Sequence, residues 1–84
     1  MAIKIYMAFV MLKVEGEQLI EVVDMVSELD NVLGVYAITG DYDLMVVLSS
    51  EDYEEIGKTI VHKIAKIPYI KESRTYMAFR SFKG

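Results

Sequence analysis

The sequence predicts an α+β fold with the element order βαββαβ, built as a four-stranded antiparallel sheet carrying both helices on one face. Three observations lead there. Segments rich in β-branched and aromatic residues flank two segments whose apolar residues recur at helical spacing. Glycine or proline punctuates the boundaries at Gly16, Gly40 and Pro68. The two middle strand segments are joined directly by Gly40-Asp41, with no room for a helix between them.

Ile3 to Val14 reads as a strand, in which Ile3, Ile5, Met7, Phe9 and Met11 alternate with Lys4, Tyr6, Ala8, Val10 and Leu12. Gly16 breaks it, and Glu17 opens a helix where its charge suits the positive end of the dipole. Leu19, Val22, Val23, Val26 and Leu29 form one apolar stripe, with Glu17, Glu21, Asp24 and Glu28 mainly outside it. That helix is expected to end near Asp30-Asn31. Val32 to Thr39 is the second strand. Gly40-Asp41 has hairpin chemistry, because glycine takes positive φ without a Cβ clash. Tyr42 to Leu48 is the third strand, and Ser49-Ser50 followed by Glu51-Asp52 offers an N-cap with acids in the first turn. Tyr53, Ile56, Ile60, Ile64 and Ile67 share one face of the second helix, which Pro68 stops. Lys71 to Phe82 is the last strand. Right-handed crossovers and short connections then give the ferredoxin-like arrangement, with the first and third strands central.

The 84 residues are enough for a single domain, 1–84, and small enough that a lone copy is marginally stable. Yet 54% of the residues are hydrophobic, and no cysteine is present to staple the fold. With helices on one face only, each strand should alternate apolar inward and polar outward. The central strands do not. Ile5, Met7, Phe9 and Met11 are backed by Tyr6, Ala8, Val10 and Leu12, and Leu44 to Leu48 is apolar on both sides. Leaving the second face wet exposes more apolar surface than monomers tolerate. The expectation is a dimer packed through the helix-free face.

No apolar run approaches the ~18 residues that cross a bilayer. Met1-Ala2-Ile3-Lys4 lacks the features of a signal peptide, so a cytoplasmic location without membrane association is expected. A net charge of −4 opposes direct nucleic-acid binding. The third strand, Leu44-Met45-Val46-Val47-Leu48, also lacks the ring-and-base pattern of RNA-recognition motifs.

The segment Val32-Leu33-Gly34-Val35-Tyr36-Ala37-Ile38-Thr39-Gly40-Asp41-Tyr42-Asp43-Leu44-Met45-Val46 resembles the signature of the effector-binding (RAM) domain of the Lrp/AsnC transcription regulators. In that signature a strand ends in Thr-Gly, followed by a polar residue, an aromatic and Asp. Ile67-Pro68-Tyr69-Ile70 resembles the family's Ile-Pro-Gly-Val stop, with Tyr69 in place of Gly, and Ser73-Arg74-Thr75-Tyr76 resembles its Thr-x-Thr motif. The resemblance covers nearly the whole chain and implies a stand-alone effector domain without the family's DNA-binding part. It implies dimers that assemble further, often as a tetramer of dimers (an octamer), with an amino acid or similar effector at the dimer–dimer contacts. Full-length Lrp/AsnC-type regulators are the implied partners.

By the same resemblance the ligand-binding residues are Thr39, Gly40, Asp41, Tyr42, Asp43 and Thr75. The chemistry suits a free amino acid. A glycine turn can aim backbone N–H groups at a carboxylate, Asp41 and Asp43 can accept from an ammonium group, and Tyr42 can supply a wall and a hydroxyl. The competing reading makes Gly40-Asp41 a plain hairpin turn and Asp43 a cap on loop amides. No cofactor or metal is expected, since one histidine and no cysteine exclude the common zinc patterns. His62 lies away from the apolar stripe, and Glu51, Asp52, Glu54 and Glu55 read as a solvated helix start. No nucleophile–base–orienter set can be assembled, so an enzyme is not expected. The readings carried forward are an effector-binding oligomer, a ligand-free co-assembly module, and a small dimeric α+β barrel enzyme.

Overall fold

The computed structural model describes residues 4–84. Its strands are β1 (Tyr6–Val14), β2 (Val32–Ala37), β3 (Leu44–Ser50) and β4 (Ile70–Ala78), and its helices begin as α1 (Leu19–Ser27) and α2 (Tyr53–Lys58). The strands form one antiparallel sheet in the order β2-β3-β1-β4, so the first and third strands are indeed central. Ile3, the expected start of the first strand, lies outside the described residues.

One face of the sheet makes the core. Ala8, Val10, Leu12 and Val14 of β1 and Leu44, Val46 and Leu48 of β3 meet Val22 and Val26 of α1 and, further on, Ile56 and Ile64. Each such side chain contributes about 1.5–3 kcal/mol on leaving water. The predicted stripe residues Leu19, Val23, Leu29, Ile60 and Ile67 pack around this cluster. Tyr53 is more exposed, its ring meeting Tyr6 edge-on at 5.5 Å between centroids.

The second helix is less regular than its apolar spacing suggests. After Lys58 it widens into a π turn over Thr59–Lys63 and tightens into a 3-10 turn over Ile64–Lys66. The cause is visible at Thr59. Its buried hydroxyl donates to the Glu55 carbonyl one turn back (2.9 Å) and accepts from Asn31 Nδ2 (2.9 Å). Such back-bonding bends helices, and here it ties α2 to the connection between α1 and β2. The first helix likewise opens with a 3-10 turn, Gly16–Gln18, and its α-helical part ends at Ser27, before the expected Asp30-Asn31.

Three further boundaries differ from expectation. The serines Ser49 and Ser50 stay in β3, and the N-cap is Asp52, whose carboxylate accepts from Glu54 N at 2.9 Å. Ser50 Oγ instead accepts from Asp52 N, at 3.0 Å. The last strand stops at Ala78, where it loses its partner: Met7↔Ala78 is the final pair with β1. The connection between β2 and β3 is a loop over 38–43 rather than a two-residue hairpin, because Asp43 bonds to β1 instead of extending β3.

The turn before β4 shows what Tyr69 does. It sits at φ 75°, the only non-glycine residue at positive φ among those described, and its carbonyl accepts from Glu15 N at 2.8 Å. The backbone therefore takes the left-handed form that glycine adopts freely, at a cost of roughly 1–2 kcal/mol for a side chain with Cβ. Tyr69→Gly is expected to stabilise the chain by about 1 kcal/mol, glycine's greater unfolded freedom offsetting the rest. A urea titration with a lower midpoint for the variant would contradict this.

On the helix-free face the register lines up Tyr36, Met45, Met11 and Arg74 in one row and Gly34, Val47, Phe9 and Tyr76 in the next. A Cβ on Gly34 would lie 2.8 Å from the Tyr36 ring, so any other residue there requires that ring to shift. The helices rest on β2, β3 and β1, and β4 is exposed along its length after Ile70. The chain exposes 6096 Å²; a compact monomer of 9.6 kDa exposes about 5100 Å².

Candidate functional site in the β2–β3 loop

Loop 38–43 is built on a glycine that must be glycine. Gly40 has φ +115°, a backbone form closed to L side chains, while the space where its Cβ would sit is open. Thr39, Gly40 and Asp41 are exposed, and Tyr42 and Asp43 are half-buried. Ile38 N donates to the Asp43 carbonyl at 3.0 Å and closes the loop.

Asp43 fastens this loop to the central strand. Its N–H donates to the Leu12 carbonyl (2.9 Å) and its Oδ2 accepts from Val14 N (2.8 Å). Val14 lies where the β1–β4 register shifts, between Lys13 and Val14, so its amide is one the ladder leaves over. A carboxylate acceptor at that point satisfies a donor on a nearly buried residue. Asp43 thus braces the loop against β1; the competing sequence reading expects a cap on loop amides, whereas the amide its carboxylate holds belongs to that strand.

Tyr42 reaches the other way, toward the helix-free face. Its hydroxyl donates to Glu72 Oε1 at a long 3.4 Å. Glu72, Arg74 and Tyr76 follow one another at alternate positions of β4, so they share that face. The Arg74 guanidinium is held above its ordinary pKa by the Tyr76 hydroxyl first and then by Tyr42, so it stays cationic. This Tyr42, Glu72, Arg74 and Tyr76 group escaped the sequence reading. The i, i+2, i+4 spacing on β4 was a signal for three of its members, but only the register brings Tyr42 to them.

Thr75 is not part of the loop. It pairs with Val10, two rows along the sheet from Leu12 and Leu44, with β1 between it and β3. Within one chain the structure brings together Thr39, Gly40, Asp41, Tyr42 and Asp43, and leaves Thr75 apart. Among the described residues no three metal-ligating side chains cluster, and no helix is long and apolar enough to cross a membrane. The loop presents backbone amides and one free-standing carboxylate, a set that can bind a small zwitterion but holds no nucleophile beside a base.

The model of the Lrp/AsnC ligand binding domain matches residues 7–84. The chain belongs to the Lrp/AsnC ligand binding domain family. The Lrp/AsnC match takes in the Gly40 loop and all of the sheet except Tyr6 at the start of β1. Among its relatives is the HTH-type transcriptional regulator FL11 of Pyrococcus abyssi, 27% identical over 77 residues, which are 92% of this chain and 50% of the regulator. The chain thus spans about half the length of the curated relatives it matches. The crystal structure of TTHA0845 from Thermus thermophilus superimposes with a TM-score of 0.87 at 28% identity, covering 94% of this chain and 99% of that one. The transcriptional regulator NMB0573 of Neisseria meningitidis, solved as an L-Met complex, shares the fold alone: TM-score 0.83, 14% identity, 94% of this chain and 53% of that one. The curated relatives are HTH-type transcriptional regulators rather than enzymes.

Proposed function

We propose that this Lrp/AsnC domain is a cytoplasmic amino-acid sensor that works as an oligomer. Two copies pack through their helix-free faces, dimers associate further, and a free amino acid binds against the Gly40 loop. Ligand occupancy then biases the assembly, alone or mixed with full-length Lrp/AsnC-type regulators. The observation that carries this reading is the loop itself: a glycine turn at φ +115° with open space beside it, an exposed Asp41 and a rigid anchor at Asp43. In support, a regulator with this fold is described as an L-Met complex. Thr39 and Tyr42 flank the ligand, and Thr75 joins the pocket only from another subunit.

A thermal-shift screen against the twenty amino acids tests the proposal. A ligand present at ~100 times its Kd adds about 2.7 kcal/mol, which raises Tm by roughly 10 °C or more in a domain of this size. Asp41→Asn is expected to weaken that ligand by about tenfold or more, as loss of a charge-assisted contact to the ammonium group predicts. If no amino acid moves Tm, while a regulator co-purifies with the chain, the co-assembly reading replaces this one. Turnover of an added compound would favour the barrel enzyme.

A further inference from the structure

At the end of the sheet remote from the Gly40 loop, the segment after β4 runs beside its own sheet and leaves an open cleft of about 1200 Å³. The Gly40 loop is tied to Leu12 and Val14, whereas the cleft surrounds Tyr6, so about 20 Å of β1 separates them. All three phenylalanines of the chain line it, Phe9 from the sheet and Phe79 and Phe82 from the segment. The last two are 92% and 82% exposed, so the walls are apolar and unfilled. The charge of the cleft is one-sided. Lys4, Arg80 and Lys83, three of the nine Lys and Arg residues, line it, and none of the thirteen Asp and Glu residues does. Among the described residues the ion pair is Lys58–Glu55, so no carboxylate holds any of these three cations. Asp52, next to Tyr53 of the cleft wall, is occupied in capping α2.

We propose that this cleft is a second ligand site, which takes a free long-chain carboxylic acid. Charge complementarity selects the head group. In a chain of net charge −4 an anion is repelled over most of the surface, and three unpaired cations around one cleft focus it there. The rings select the tail. Lys4 Nζ stands 5.2 Å from the Tyr6 ring centroid, and the Arg80 guanidinium 4.8 Å from that of Phe82. A cation resting on a ring offers its charge to a carboxylate and leaves the neighbouring ring surface for an alkyl chain. Burying that chain supplies the affinity, and the cleft is roomier than the roughly 300–1,000 Å³ of an ordinary small-molecule site. An ammonium group is repelled by the same three cations. The site therefore differs in kind from the Gly40 loop, where the exposed Asp41 is an acceptor.

Isothermal titration with laurate, kept below its micelle concentration, tests this. Saturable laurate binding is expected, with dodecylamine at least about tenfold weaker and acetate giving no detectable heat, since it lacks the chain. Arg80→Gln with Lys83→Gln is expected to weaken laurate about fivefold or more, as loss of two exposed charge contacts implies. Phe79→Ser with Phe82→Ser should weaken it by at least about tenfold through lost apolar burial. Asp41→Asn should leave laurate affinity unchanged, which separates this site from the amino-acid site. Equal binding of dodecylamine, or unchanged laurate affinity in either double variant, would overturn the proposal. So would a chain that sediments with anionic phospholipid vesicles yet takes up no monomeric laurate, because a lipid surface and not a free acid would then be the occupant.

Discussion

Glutamate in place of Phe9 is expected to leave the chain folded but monomeric. Phe9 lies mid-way along β1 on the helix-free face, between Val47 on β3 and Tyr76 on β4. In a lone chain a carboxylate there still reaches water, because no helix covers that side. In a sheet-to-sheet dimer it is buried without a cation in its own row. Burying an unpaired charge costs several kcal/mol even after relaxation, and a loss of about 4 kcal/mol is a roughly 1000-fold weaker dimer. The neighbouring substitution Val10→Glu supplies the contrast, since Val10 is fully buried under the helices. That change should unfold the chain rather than dissociate it. Sedimentation equilibrium on Phe9→Glu, with circular dichroism to confirm the fold, checks the result; an unchanged dimer would mean that the helix-free face is not the contact.

The second large effect is expected at Asp43. Alanine there removes the acceptor of Val14 N and one of the two ties between loop and strand. A hydrogen bond to a charged group is worth about 1.5–3 kcal/mol when the remaining donor is left unsatisfied. For a domain this small that lowers Tm by roughly 6–20 °C. Asparagine keeps an acceptor oxygen and should recover much of the loss, which separates the hydrogen bond from the mere presence of a side chain. Chemical denaturation of both variants gives the comparison. Equal destabilisation of Asp43→Asn and Asp43→Ala would show that charge, and not the acceptor, matters at this position.

The architecture was legible because apolar spacing and turn residues agree in this chain. The stripe through Val22 and Val26, the β-branched run at Leu44 to Leu48 and the stop at Pro68 all point to one topology, and the sheet order follows from it. What spacing does not encode is side-chain bonding across the fold. Asp43 shortened β3 because Val14, 29 residues earlier, offered it a donor. Thr59 broke the helix register because Asn31 lay within reach. Serine and aspartate are both good caps, so propensity alone did not choose Asp52 over Ser49 or Ser50. The six candidate residues all entered by resemblance; Thr39 to Asp43 share one loop because they are contiguous in the chain, whereas the register sets Thr75 apart.

The double tie at Asp43 has a mechanical result. It grips β1 at Leu12 and Val14, and the residue between and those before them point alternately to the core and to the opposite side. Loop and central strand therefore behave as one lever rather than as a flap on a scaffold. A displacement of Asp43 is passed directly to β1 at Leu12 and Val14.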